Sequence, residues 1–144
     1  MALALEEAQA AASRGEVPVG AVLLGPDGEL LAKAGNEVRA NNDPTAHAER
    51  LVLTRAAQKH GTSFLTDCDL WVTLEPCAMC AGAISLARIR RLYFGAEDSK
   101  GGAVLYGPRL FSQPTCHHRP EVYSGFQESE ASELLRSFFA ARRS

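Results

Sequence analysis

The chain has 144 residues, with 15 Lys and Arg against 17 Asp and Glu, for a net charge of −2. That length suits one domain spanning 1–144, able to bury roughly two thirds of its unfolded surface. Apolar residues at 46% and charged residues at 22% exclude disordered, collagen-like and low-complexity classes.

The first residues, Met1 to Glu7, lack a secretory pattern, because Glu6 and Glu7 break the apolar run and no basic segment precedes it. A cytoplasmic location is expected, where four Cys read as metal ligands or core residues before disulfides. Residues 2 to 13, rich in Ala, Leu and Glu, predict a helix. Val17 to Leu24 and Glu29 to Ala34 predict two strands joined by the turn Gly25-Pro-Asp-Gly28. Asn36 to Asp43 is a polar loop, and Ala46 to His60 has helical composition ending at Gly61. A strand follows over Leu70 to Leu74, then a helix from Cys77 to Ala87 and a short strand from Arg91 to Phe94. Residues 96 to 120 form a long loop with room for a helical turn, a length that usually signals function. Glu121 to Tyr123 predicts a fifth strand and Ser129 to Arg143 a final helix. Strands alternating with helices imply an α/β arrangement in three layers with at least one parallel pair. The longest stretch without an ionised side chain, Pro76 to Ala87, has 12 residues. A membrane-spanning helix needs about 20, so no membrane partner is expected.

Two segments carry candidate chemistry: Thr45-Ala-His47-Ala-Glu49 and Glu75-Pro76-Cys77-Ala-Met-Cys80. Each falls at the start of a predicted helix, where the positive end of the dipole favours thiolate over thiol. Cys77 and Cys80, three apart, share one helix face. Alone, such a pair reads as readily as a redox or core pair as a metal pair, and a lone His47 or Glu49 as a structural histidine or a solvated acid. Together, His47, Cys77 and Cys80 suit zinc. Three ligands leave the fourth position of a tetrahedral ion to water, as in catalytic rather than structural sites. Glu49, two residues beyond His47, is placed to accept a proton. The pattern H-x-E followed by P-C-x-x-C is the signature of zinc nucleobase deaminases.

With these segments the chain resembles the bacterial tRNA-specific adenosine deaminases, of the cytidine deaminase-like fold. The resemblance runs from Glu16-Val-Pro-Val-Gly20 to Phe138-Phe139 and Arg142-Arg143. It rests most specifically on Gly35-Asn36, Asp43 to Glu49, Val72 to Cys80 and Tyr93 to Lys100. It implies a three-layer α/β/α fold with a central mixed five-stranded sheet, one Zn2+ per subunit and a homodimer. The implied activity is hydrolytic deamination of adenosine to inosine at the tRNA wobble position, with Glu49 relaying protons. It also implies that Asn36 binds the target base, that Asp98 meets the anticodon-loop backbone, and that Phe139 and Arg142 contact RNA. Read from the residues alone, Asn36 and Asp98 are turn residues that bond their own backbone.

Three positions depart from the family pattern: Arg50 where an apolar residue is usual, Glu97 where a basic one occurs, and Gly101-Gly102 in a turn. Cys68 reads as a small residue before a strand, and Cys116-His117-His118-Arg119 as an exposed loop that could meet phosphate. Arg88, Arg90 and Arg91 read as a solvated helix end or a contact for RNA or a partner subunit. Met79 reads as a core or dimer contact. Two rival functions stand beside the resemblance: a zinc deaminase of a free base or nucleoside, guanine or cytidine type, and an RNA-binding module in which zinc merely staples two helices.

Overall fold

The computed structural model describes residues 1–143; Ser144 and the side chain of Arg143, one of the paired arginines, lie outside it. The elements in chain order are α1 (Ala2–Ser13), β1 (Gly20–Leu24), β2 (Leu30–Gly35), α2 (Ala48–His60), β3 (Asp69–Leu74) and α3 (Ala78–Ala87). They continue with β4 (Arg91–Ala96), a 3-10 turn (Leu110–Ser112), β5 (Glu121–Tyr123) and α4 (Glu128–Arg143). The strands form one sheet in the order β2-β1-β3-β4-β5. β1 pairs antiparallel with β2 and β3, whereas β3, β4 and β5 run parallel. The five-stranded mixed sheet between helices is the three-layer architecture expected from the sequence.

One face of the sheet buries Ala21, Leu23, Leu70, Val72, Leu92 and Phe94 against Val52 and Ala56 of α2 and Ala81 and Ile84 of α3. These are the near-continuous apolar strands of a sheet covered on both sides. On the other face α1 and α4 pack against each other and the sheet, with a smaller cluster of Leu5, Ala96 and Ala131. Glycine sets that approach: a Cβ at Gly20 would collide with the Ala4 carbonyl oxygen and the Ala8 nitrogen of α1.

The boundaries differ from the sequence reading for physical reasons. β1 begins at Gly20 rather than Val17, because Pro18 has no N–H to give a ladder and Val19 N–H turns back to Val17 O (2.8 Å). β4 continues past Phe94 to Ala96, which pairs with Leu74 of β3. Gly95, just past the expected end of that strand at Phe94, is instead a close-approach position within it. A side chain there would strike Thr73 O and Phe126 O.

Gly20→Val should therefore cost about 3 kcal/mol of unfolding free energy, near the upper end of the usual overpacking cost. Urea denaturation measures it, and a wild-type midpoint would refute the close-packing account.

Candidate active site

The parallel strands β3 and β4 end side by side, and open α/β sheets bind ligands beyond such carboxyl ends. Two helices start at this point. His47 is the N-cap of α2 and Cys77 the N-cap of α3, with Cys80 buried in the first turn of α3. His47 Nδ1 lies 3.6 Å from Cys77 Sγ and 3.5 Å from Cys80 Sγ. Tetrahedral zinc, with bonds of ~2.0–2.1 Å to nitrogen and ~2.3 Å to sulfur, separates such ligands by roughly 3.6 Å. The three side chains therefore form a group able to hold a metal ion of that kind. Cys68 and Cys116 take no part: Cys68 contacts Asp67, and Cys116 contacts Ser85 Oγ and His118 O.

The charges in this cluster are set by one another. The hydrogen bond with Cys80, and then that with His47, brings the Cys77 thiol down to about 4. Cys80 is driven upward, first by its hydrogen bond with Cys77 and then by burial. His47 is raised, chiefly by its hydrogen bond with Cys77. Burial pushes the Glu49 carboxyl up to about 7. Cys68, by contrast, is pushed up to about 12 by burial and by Asp67, which keeps it a protonated thiol while no cation is bound.

A cavity of about 450 Å³ opens over this cluster, lined among others by Asn36, His47, Glu49, Cys77 and Asp98, with Phe138, Phe139 and Arg142 of α4 also on its wall. The structure thus brings the eight expected site residues into one neighbourhood, seven on the cavity wall and Cys80 behind Cys77. Glu49 is only 4% exposed, so it is not the solvated acid its position alone suggests. Asn36 Oδ1 accepts a hydrogen bond from Ala48 N–H (2.8 Å), capping α2 rather than its own turn. Its amide nitrogen is what remains to meet a ligand. Asp98 does bond its own turn: Oδ1 accepts from Lys100 N–H (3.1 Å) and Gly101 N–H (2.9 Å). Phe139 is exposed and meets Phe138 edge-on, and neither ring belongs to the core clusters. The Arg142 guanidinium lies 4.4 Å over Phe138 and donates to Gly15 O (3.1 Å), docking the end of α4 beside α1.

Two acids that the sequence left unassigned organise the walls. Glu75, 2% exposed, accepts hydrogen bonds from the backbone N–H groups of Asp98, Val104, Leu105 and Tyr106 at 2.9–3.3 Å. Glu16, 3% exposed, accepts from Arg39 N–H and Ala40 N–H in the loop before α2. Arg50 likewise ties its loop, donating to Thr45 O (2.8 Å) and pairing with Asp43. The basic clusters are largely consumed within the fold. Arg90 holds Asp69 with both arms, Arg91 pairs with Glu121, and Arg88 covers the Phe64 ring. In the loop at 116–119, His118 bonds Ile89 O and Ser85 Oγ, and Arg119 donates to Phe111 O and Gln113 O.

A mixed sheet between helices, with a His-Cys-Cys group and a buried glutamate where parallel strands end, defines the nucleobase deaminase class. Residues 1–143 match the MafB19-like deaminase family, and the chain belongs to it. A tRNA-specific adenosine deaminase of Agrobacterium fabrum is 59% identical over 143 residues, covering 99% of this chain and 93% of that protein. A solved tRNA:A34 deaminase, which edits A to I at the wobble position, is similar at a TM-score of 0.92 and 60% identity, covering 94% of this chain and 97% of that one. A guanine deaminase of Nitrosomonas europaea shares the fold at a TM-score of 0.82 and 25% identity, covering 96% of this chain and 82% of that one.

In zinc-depleted protein at neutral pH, iodoacetamide should label Cys77 first and spare Cys68, and added zinc should protect Cys77. Peptide mass mapping reads the order; Cys68 labelled ahead of Cys77 would contradict the electrostatics. In Glu75→Gln, one acceptor oxygen becomes an NH2 group facing N–H donors, at a cost of about 1–3 kcal/mol. Denaturation would measure that loss, and faster hydrogen exchange over 98–106 would localise it.

Proposed function

We propose that this chain is a zinc-dependent hydrolase that converts adenosine to inosine at the wobble position of tRNA. The observation that carries the reading is the His47-Cys77-Cys80 group with Glu49 buried in the same cavity. The donor set and the 3.5–3.6 Å separations fit zinc, with His47, Cys77 and Cys80 as its ligands. Zinc held there supplies Lewis acidity, which makes water a nucleophile near neutral pH.

The chain's own residues do the rest. Glu49 takes one proton of the attacking water and passes it to the purine ring nitrogen, then carries the proton of the new C6 hydroxyl to the amine. The C6–N bond breaks, ammonia leaves, and a carbonyl replaces the amine. The Asn36 amide nitrogen donates to the base and fixes its pose. Asp98, Phe139 and Arg142 stand on the cavity wall, where an extruded nucleotide and its flanking backbone would lie. Anticodon loops present such unstacked bases, for which aromatic side chains offer stacking partners. The identities of the relatives support the tRNA substrate over a free base.

The same reading includes one deaminase domain over 1–144, a cytoplasmic location and a homodimer. No helix among the described residues is long and apolar enough to cross a membrane. For the dimer, α3 offers an exposed apolar face in Met79, 36% exposed, and Leu86, 64% exposed, two turns apart.

Zinc-loaded protein should form inosine in an anticodon stem-loop carrying wobble adenosine. Glu49→Gln should lower turnover by about 10²–10⁴-fold while zinc content and RNA affinity hold. Unchanged turnover in that variant would remove Glu49 from the mechanism. Ammonia from free guanine or cytidine without any action on RNA would replace the substrate claim with the free-base reading.

A further inference from the structure

A second group of metal-type donors lies where α2 ends and β3 begins. His60 is the last residue of α2, and Asp67 and Cys68 stand immediately before β3. His60 Nε2 is 3.8 Å from Asp67 Oδ1, and Cys68 Sγ is 3.5 Å from the same oxygen. All three donor atoms lie within 4.8 Å of one another. Ligands bonded to one tetrahedral ion at ~2.0–2.3 Å stand roughly 3.4–3.6 Å apart, so the Cys68–Asp67 separation already fits and the His60 ring must move inward to complete the set.

The group is held in place and its charge favours a cation. Cys68 is fixed from both sides, its N–H donating to Leu65 O (3.1 Å) and its carbonyl accepting from Arg90 N–H (3.0 Å). Asp69 and Glu29 add negative charge around the sulfur, although Asp69 is shared with Arg90 and Arg91. The carboxyl end of α2 adds its partial negative charge beside His60, with Lys59 the nearest opposing charge on that helix. Side-chain exposures of 30% for His60 and 48% for Asp67 leave an approach from solvent, with Cys68 forming the floor.

We propose that His60, Asp67 and Cys68 form a second binding site for a borderline transition-metal cation of the zinc class, apart from the deamination centre. Nitrogen, sulfur and carboxylate donors select such an ion over magnesium or calcium. On binding, the cation replaces the Cys68 thiol proton, which passes to solvent, and water completes the coordination. The bound ion pins the end of α2 to the entrance of β3 across the intervening loop. The opposite ends of these two elements carry His47, Glu49 and the approach to Cys77. The effect is on stability, not on chemistry.

Dialysis against micromolar free zinc followed by metal analysis tests this without reference to substrate. Wild-type protein should hold two zinc ions per chain, and His60→Gln and Asp67→Asn one each. His47→Ala should also keep one, at this site. Excess zinc should raise the melting temperature of the one-zinc wild type and leave that of His60→Gln unmoved, while inosine formation is the same in both. One zinc in the wild type, or two in both His60→Gln and Asp67→Asn, overturns the proposal whatever the deamination assay shows.

Discussion

His47 Nδ1 meets the sulfurs of Cys80 and Cys77 at 3.5 and 3.6 Å because two helices begin at the same point beyond β3. Neither helix brings the ligands together alone. His47 caps α2, Cys77 caps α3, and the Asn36 side chain fixes the first free N–H of α2. A cap position is extended backbone, so its side chain points out of the helix start rather than along its flank. The partial positive charge of both helix ends faces the cluster and supports the lowered Cys77 thiol. The mixed sheet makes this meeting possible. β3 is antiparallel to β1 but parallel to β4, so the carboxyl ends of two strands and the start of α3 converge on one edge.

The walls around that cluster are held by buried acids. A loop as long as 97–120 loses considerable conformational entropy on ordering, and most of it has no ladder to join. Glu75 supplies the substitute, one carboxylate answering four backbone N–H groups in the place a strand partner would occupy. Glu16 does the same for the loop that leads into α2. Because Glu75 directly precedes Pro76 and Cys77, the residue that shapes the wall and the residue that offers a sulfur share one short rigid segment.

The part of this arrangement legible in sequence was the part with its own local pattern. Alternating strands and helices, the Gly25–Gly28 turn and the spacing of His47, Glu49, Cys77 and Cys80 follow from residue types a few positions apart. The roles of Glu16, Glu75 and Arg50 do not, since an acid that is buried and one that is solvated look alike until the chain folds back. Gly95 shows the same limit from the other side. Its local signature is that of a strand end, while its reason is the approach of α4 from more than thirty residues downstream. The basic clusters show it too. Arg88, Arg90 and Arg91 read as a solvated helix end or a contact for RNA or a partner subunit, and Arg119 as able to meet phosphate, but nothing local in the sequence reveals that their guanidinium groups engage Phe64, Asp69, Glu121 and loop carbonyls.

What separates substrates within this fold must therefore lie in the side chains that line the cavity. A guanine deaminase shares the architecture at 25% identity, so the arrangement of sheet and helices alone does not select a base or a polymer. Here the mouth is built by α4, the last element added to the sheet, whose Phe138, Phe139 and Arg142 stand over the cavity. Arg142 is held by Gly15 and by the Phe138 ring, which leaves Phe139 as the exposed ring with no core packing of its own. An exposed aromatic loses free energy in water, and a planar base laid against it recovers that loss without demanding a particular sequence. The Asn36 amide and the Glu49 carboxyl line the same cavity at the start of α2, Asn36 fixed there by its hydrogen bond from Ala48 N–H. The proposed tRNA activity would divide polymer recognition and base recognition between α4 and the start of α2, which meet at one opening.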